Sequence, residues 1–252
     1  MKPTRARAAA RNVIRGAACS RASLVLVVLA GSGLVSQAHA QEVRYSWVDM
    51  SYMSQDMSRE GSLTPLPGQT VDIATSDGTG VHFRGSLAAW KNIYLMIDYA
   101  STDISLTGSV SNSNTGFVQE FADEFDYTAI RGGVGLKFPV LDATDVFGEL
   151  TYDSLGFDFG SFAGENFDMD RQEVGAALGV RTMFGRNLQV EARARYSKLG
   201  DADLTTGIFD TDVLFGVGFA WQVIRGLSIV ADVESGEFAN WSLGFRIDLD
   251  ED

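Results

Sequence analysis

Beyond residue 40 the sequence holds one imidazole, His82, and no thiol. The groups able to act as nucleophile, base or soft metal ligand therefore reduce to that histidine and a set of carboxylates. A catalytic histidine needs a carboxylate to orient it or a serine to activate. His82 is flanked by Val81 and Phe83, so any acid beside it must come from another strand, with Asp103 and Asp49 as candidates. The expectation is a hydrogen-bonding interior histidine in a protein that is not an enzyme. Among the acids, Asp168, Asp170 and Glu173 form the tightest cluster. They lack the glycine and ligand spacing of a calcium loop, which leaves them a weak metal candidate. No cofactor is expected.

The charges fall unevenly along the chain. Residues 1–40 carry six of the 20 Lys+Arg and none of the 33 Asp+Glu, so the remainder has a net charge of −19. Lys2, Arg5, Arg7, Arg11, Arg15 and Arg21 precede an apolar run from Leu24 to Leu34, which ends at Ala38-His39-Ala40. Basic, apolar and small-x-small regions in that order read as a Sec-type signal peptide over 1–40, cleaved before Gln41. The only cysteine, Cys19, goes with it, which excludes a disulfide scaffold and a cysteine metal site. So acidic a remainder also excludes nucleic acid as a partner, because phosphate contacts need clustered Lys and Arg.

Residues 41–252 alternate like strands. Leu188, Val190, Ala192, Ala194 and Tyr196 face one way and Gln189, Glu191, Arg193, Arg195 and Ser197 the other. Val213, Phe215, Val217, Phe219 and Trp221, then Trp241, Leu243, Phe245 and Ile247, repeat the pattern. Ten strands are expected, near 43–54, 79–90, 92–103, 126–139, 145–156, 173–185, 187–199, 211–224, 227–235 and 240–249. Eight is the alternative if the first and ninth fail. Short joins at Lys91, Val140–Thr144, Arg186 and Arg225-Gly226 alternate with mostly longer ones at 55–78, 104–125, 157–172, 200–210 and 236–239. No apolar stretch after residue 40 reaches the roughly 20 residues of a membrane helix, so any crossing must be made by strands.

This layout resembles the small Gram-negative outer-membrane β-barrels of the OmpA-like and porin-like kind, and ten-stranded members in particular. The resemblance implies an all-β, closed, antiparallel up-and-down transmembrane β-barrel over 41–252. It also implies integral outer-membrane localisation, contact with outer-membrane lipid and lipopolysaccharide, and insertion by the barrel assembly machinery. One departure stands out: that family usually ends on an aromatic residue, whereas here Leu249 is followed by Asp250-Glu251-Asp252. Phe245 or Leu249 would have to substitute.

With apolar faces toward lipid, the other faces line the lumen. They carry the acids Asp49, Asp98, Glu149, Asp153, Glu191, Asp232, Glu234 and Asp248, and the bases Arg84, Arg131, Lys137, Arg181, Arg193, Arg195 and Arg246. Near-balanced charge in a narrow bore favours ion pairs across it, since an unpaired buried charge is costly. Barrels of this size are mostly filled by side chains. Tyr99, Phe138, Tyr152, Phe184, Tyr196, Trp221 and Trp241 fall near strand ends, where interfacial girdles place aromatics. The excess acid lies in the connections and reads as a hydrated outer surface. The functional expectation is a structural or surface-interaction role with a plugged or very narrow lumen. A small porin passing water or small solutes and an adhesin using the acidic loops are the rivals, and an outer-membrane hydrolase ranks behind both. No specific ligand is named by these residues.

Overall fold

The computed structural model describes residues 43–56, 59–64, 66–162, 165–203, 208–236 and 239–249, so the expected leader lies outside the described residues. Twelve strands form one antiparallel sheet: β1 (Trp47–Gln55), β2 (Arg59–Leu63), β3 (Gln69–Thr75), β4 (Gly78–Trp90), β5 (Ile93–Asn112), β6 (Phe117–Leu141), β7 (Thr144–Phe162), β8 (Glu165–Phe184), β9 (Leu188–Asp203), β10 (Ile208–Ile224), β11 (Leu227–Ser235) and β12 (Asn240–Asp248). Ten of them close a barrel. Neighbours in sequence pair throughout, except that β4 follows β1 directly in the ring, and β1 pairs with β12 from Trp47↔Asp248 to Gln55↔Asn240. The ninth strand and most of the first stand where the alternation put them, which removes the eight-stranded alternative.

The connections depart from expectation. Hairpin β2–β3 occupies most of 55–78 and pairs with the far half of β5, Gln69↔Asn112 to Thr75↔Leu106. The segment 104–125 is mostly strand as well, because β5 and β6 run on together to Asn112↔Phe117 around a turn at 113–116. The same holds for 157–172, where β7 and β8 continue to Phe162↔Glu165. Their sequences explain this. Ile104, Leu106 and Val110 alternate with Ser105, Thr107 and Ser109, a pattern that suits a pleated strand as well as the barrel itself does. The ring is therefore uneven: β1, β11 and β12 have nine residues each, whereas β5 to β8 have 19 to 25.

Alternation sends small and polar side chains and a few aromatic ones inward, and large apolar ones outward. Leu178 is 70% exposed and Leu150 63%, alongside Val48, Met50, Leu87, Leu95, Ile97, Val134, Leu136, Phe215, Phe219, Leu243 and Phe245. A continuous apolar exterior is rare on a soluble protein and marks a surface that meets something apolar. The closed ring pairs the backbone groups that hydrocarbon could not solvate. Leu150→Arg should cost roughly 2–4 kcal/mol, as expected for a cation at mid-bilayer. Folding titrations into lipid vesicles measure this, and a near-neutral result would reverse the facing.

Candidate functional site

The lumen is filled in three layers. At the end that holds the short turns, Val43, Tyr45, Tyr94, Phe147 and Met183 pack into a buried cluster. Tyr45 and Tyr94 rings lie 4.8 Å apart, and the Arg181 guanidinium sits 4.5 Å from the Tyr45 centroid and 5.0 Å from that of Phe147. Lys137 Nζ lies 4.3 Å from the Tyr45 centroid, and cations are attracted to such ring faces. Inward glycines make the room: a Cβ on Gly135 would fall 2.1 Å from the Tyr94 ring, and one on Gly179 2.4 Å from Phe147. At the opposite mouth Ile104, Phe125, Tyr127, Leu155, Phe157 and Leu199 form a second buried apolar cluster.

Between these layers lies the charge. Cross-strand register places Arg246, Asp49, Arg84, Asp98, Arg131 and Asp153 side by side on β12, β1, β4, β5, β6 and β7. Signs alternate at every step. Asp49, 1% exposed, accepts from Arg246 at 2.9 Å and Arg84 at 3.2 Å. Arg131 bridges Asp98 at 3.1 Å and Asp153 at 3.2 Å. The far wall joins in: Arg84 reaches Asp232 at 3.2 Å, and Arg193 reaches Asp232 at 2.8 Å, Glu191 at 3.1 Å and Glu234 at 3.2 Å. Arg195 pairs with Glu234, and Arg181 with Glu191. Glu149 accepts a hydrogen bond from Tyr94 at 2.7 Å.

The bases and acids assigned to the lumen from sequence have interior partners of this kind except Lys137, which lies over the Tyr45 ring, and Asp248, which pairs with Arg44 at the turn-end rim. Lumenal cavities of about 80 and 10 Å3 lie among the described residues. His82 lies beside the larger one, with Nε2 3.0 Å from Asp98. Its carboxylate partner is therefore neither Asp103 nor Asp49. The aromatic layer went unnoticed in the sequence because Tyr45 precedes β1 and Tyr94 and Phe147 occupy inward positions read only for charge.

The outward aromatics form two tiers. Tyr52, Tyr99, Tyr152, Tyr196 and Trp241 stand toward the long end, and Trp90, Phe138, Phe184 and Trp221 toward the turns. Tyr52 packs on Trp241 at 5.7 Å and Tyr99 on Phe83 at 6.4 Å. Beyond the first tier comes a row of acids in register, Asp103↔Asp126↔Asp158↔Asp168. The first three side chains are exposed on the outer face. Among the described residues, the acids expected as a weak metal candidate are not brought together. Asp170 is exposed, strand alternation puts Glu173 on the other face, and Glu173 pairs with Lys198 at 3.4 Å; the Asp168 side chain lies outside those described.

No family model matches this chain, and no curated protein does. Among solved structures it is similar to the attachment invasion locus protein Ail of Yersinia pestis (13% identity, 82% of this chain and 100% of that one, TM-score 0.38). OprG from Pseudomonas aeruginosa gives 9% identity over 84% and 99% of the two chains with a TM-score of 0.43, and AlkL 16% over 86% and 97% with 0.41. The closed antiparallel ring, its apolar exterior and its filled interior are, on their own geometry, those of an integral β-barrel of the bacterial outer-membrane type.

Arg193→Ala should destabilise the barrel by about 3–5 kcal/mol, because Asp232, Glu191 and Glu234 lose a shared buried cation. Urea unfolding from detergent tests this, and an unchanged midpoint would remove Arg193 from the network. Slight desolvation raises the Asp126 carboxyl, as do a hydrogen bond with Asp103 and repulsion from Asp103, Asp158 and Glu124. A carboxyl raised on folding binds its proton more readily in the native state, so its repulsion is felt at neutral pH and fades as pH falls. Asp126→Asn should therefore raise the melting midpoint at pH 7 and raise it less near pH 4. A gain independent of pH would refute the coupling.

Proposed function

We propose that this protein is a non-conducting outer-membrane barrel that anchors a tall sheet at the cell surface for interaction, with no catalytic role. The observation that carries the reading is the three-layer lumen. Apolar clusters lie toward both ends, and paired charges cross the space between them. Bulk water is the medium ions travel in, and a bore packed with aromatic rings and bridging guanidinium groups leaves room for a few water molecules only.

The surface role rests on uneven strand length. The far halves of β5 to β8, with hairpin β2–β3, rise past the outer tier of aromatics as ordered sheet instead of loose loops. Rigid presentation lowers the entropy lost on binding, which favours a docking face. The acidic outer row at Asp103, Asp126 and Asp158 stands at the height where lipopolysaccharide phosphates and their cations would lie. In this reading His82 serves Asp98 as a hydrogen-bond partner and Asp98 in turn holds Arg131.

Planar-bilayer recording of the refolded protein, with heat-modifiable gel mobility to show a closed barrel, tests the proposal. A folded barrel without stable steps is expected. Large, long-lived steps would replace the scaffold with a pore.

A further inference from the structure

Beyond the outer tier of aromatics the sheet no longer pairs all the way round. β6 and β7 pair only as far as Asp126↔Asp158, and past that point the β7 ladder with β8 shifts between Asp158 and Ser161 before running on to Phe162↔Glu165. A bulge of that kind bends its strand. Residues 117–125 of β6 therefore have β5 on one side and no described strand on the other.

The register fixes which groups meet that open edge. Ser105 of β5 turns its carbonyl away from β6, accepting from Ser76 N–H at 3.0 Å, so Ser105↔Glu124 is a pair without hydrogen bonds between its strands. The N–H and C=O of Glu124 then point to the open side, and alternation places those of Val118, Glu120 and Ala122 beside them. Glu124 N–H is met instead by the Asp123 carboxylate at 2.9 Å, a local acceptor standing in for a neighbouring strand.

Side chains along the edge sort by face. Phe125 is buried, and Phe117 and Phe121 share its side of the strand, with Gln119 and Asp123 between them. Glu120 and Glu124 stand exposed on the other side, followed by Asp126. A strand laid on this edge would meet mainly aromatic rings on one face and carboxylates on the other. An exposed edge is a template for a further strand, and opposite charges directly across a ladder strengthen the pairing. We propose that 117–125 of β6 receives an extended cationic segment of a partner protein, apolar at every second residue with Lys or Arg between. The inference rests on the surface-interaction reading above and names the partner's chemistry. A second copy of this chain fits less well, because the same acids would line both sides of the seam.

The test takes the intact refolded protein in detergent and a fluorescent synthetic peptide of alternating valine and lysine, about ten residues long as a strand requires. Anisotropy should show saturable binding of this peptide, and much weaker binding of one with the same residues in two blocks or of alternating valine and glutamate. Amide exchange at Val118, Glu120, Ala122 and Glu124 should slow when the peptide binds, which attraction between charges alone would not cause. Glu120→Gln with Glu124→Gln should weaken binding on the order of ten-fold, while Asp142→Asn at the opposite rim leaves it unchanged. Ala122→Pro removes one edge N–H without touching the β5 ladder and should weaken binding as well. Heat-modifiable mobility shows each variant folded. Equal binding of the blocked peptide, unslowed exchange at those four amides, an unchanged double variant, or a dimer that forms through this edge without peptide would each overturn the proposal. Failure of the peptide on a barrel that records no steps would sink this inference alone, whereas stable steps would sink the non-conducting reading alone.

Discussion

A charge enclosed by a ten-stranded ring has almost no water to turn to, and the rest of this structure follows from how that is resolved. The row Arg246, Asp49, Arg84, Asp98, Arg131, Asp153 crosses six adjacent strands with alternating sign. Each residue thus has an opposite charge directly beside it in the sheet. Slipping any of these strands by one residue would turn its charges into lipid, and slipping by two would break the row. The ion pairs therefore specify register more than they add stability, since burying two charges offsets much of their attraction.

The outer surface imposes the complementary demand. Hydrocarbon cannot solvate peptide groups, so the sheet has to close, and it cannot solvate ions, so those side chains have to point inward. Closing ten strands makes a bore too wide for backbone contact and too narrow for bulk water. Large inward side chains fill it, and glycines opposite them, at 135 and 179, let the rings of Tyr94 and Phe147 lie against bare backbone.

Much of the barrel was legible because its alternation is strict. In β9, Gln189, Glu191, Arg193 and Arg195 can share only one face, and β10 and β12 repeat the pattern. What was illegible lay in register and distance. That Asp98 is the acid beside His82 depends on β4 and β5 pairing at Arg84↔Asp98, which no local pattern reports. Segments 55–78 and 104–125 looked like loops because Ser, Thr, Gly and Asn are common in both loops and solvated strands. Only the pairing of β3 with β5 separates the two cases. The cation–aromatic layer escaped for a related reason, since Tyr45 gains its meaning from Tyr94 and Arg181, which are far from it in sequence.

The pairing of β1 with β12 makes a seam between the two ends of the described barrel, and Asp49 lies on it. It is held by Arg246 from β12 and by Arg84 from β4, and it is almost fully enclosed. While the seam is open, Asp49 and Arg246 face water from a gap in the wall and are stable apart. Once it shuts, the same two groups lose that water and their pairing offsets part of the loss, with Arg84 as a second partner for Asp49. Closing the seam therefore joins a charge pair across it in the same step that completes the backbone ladder.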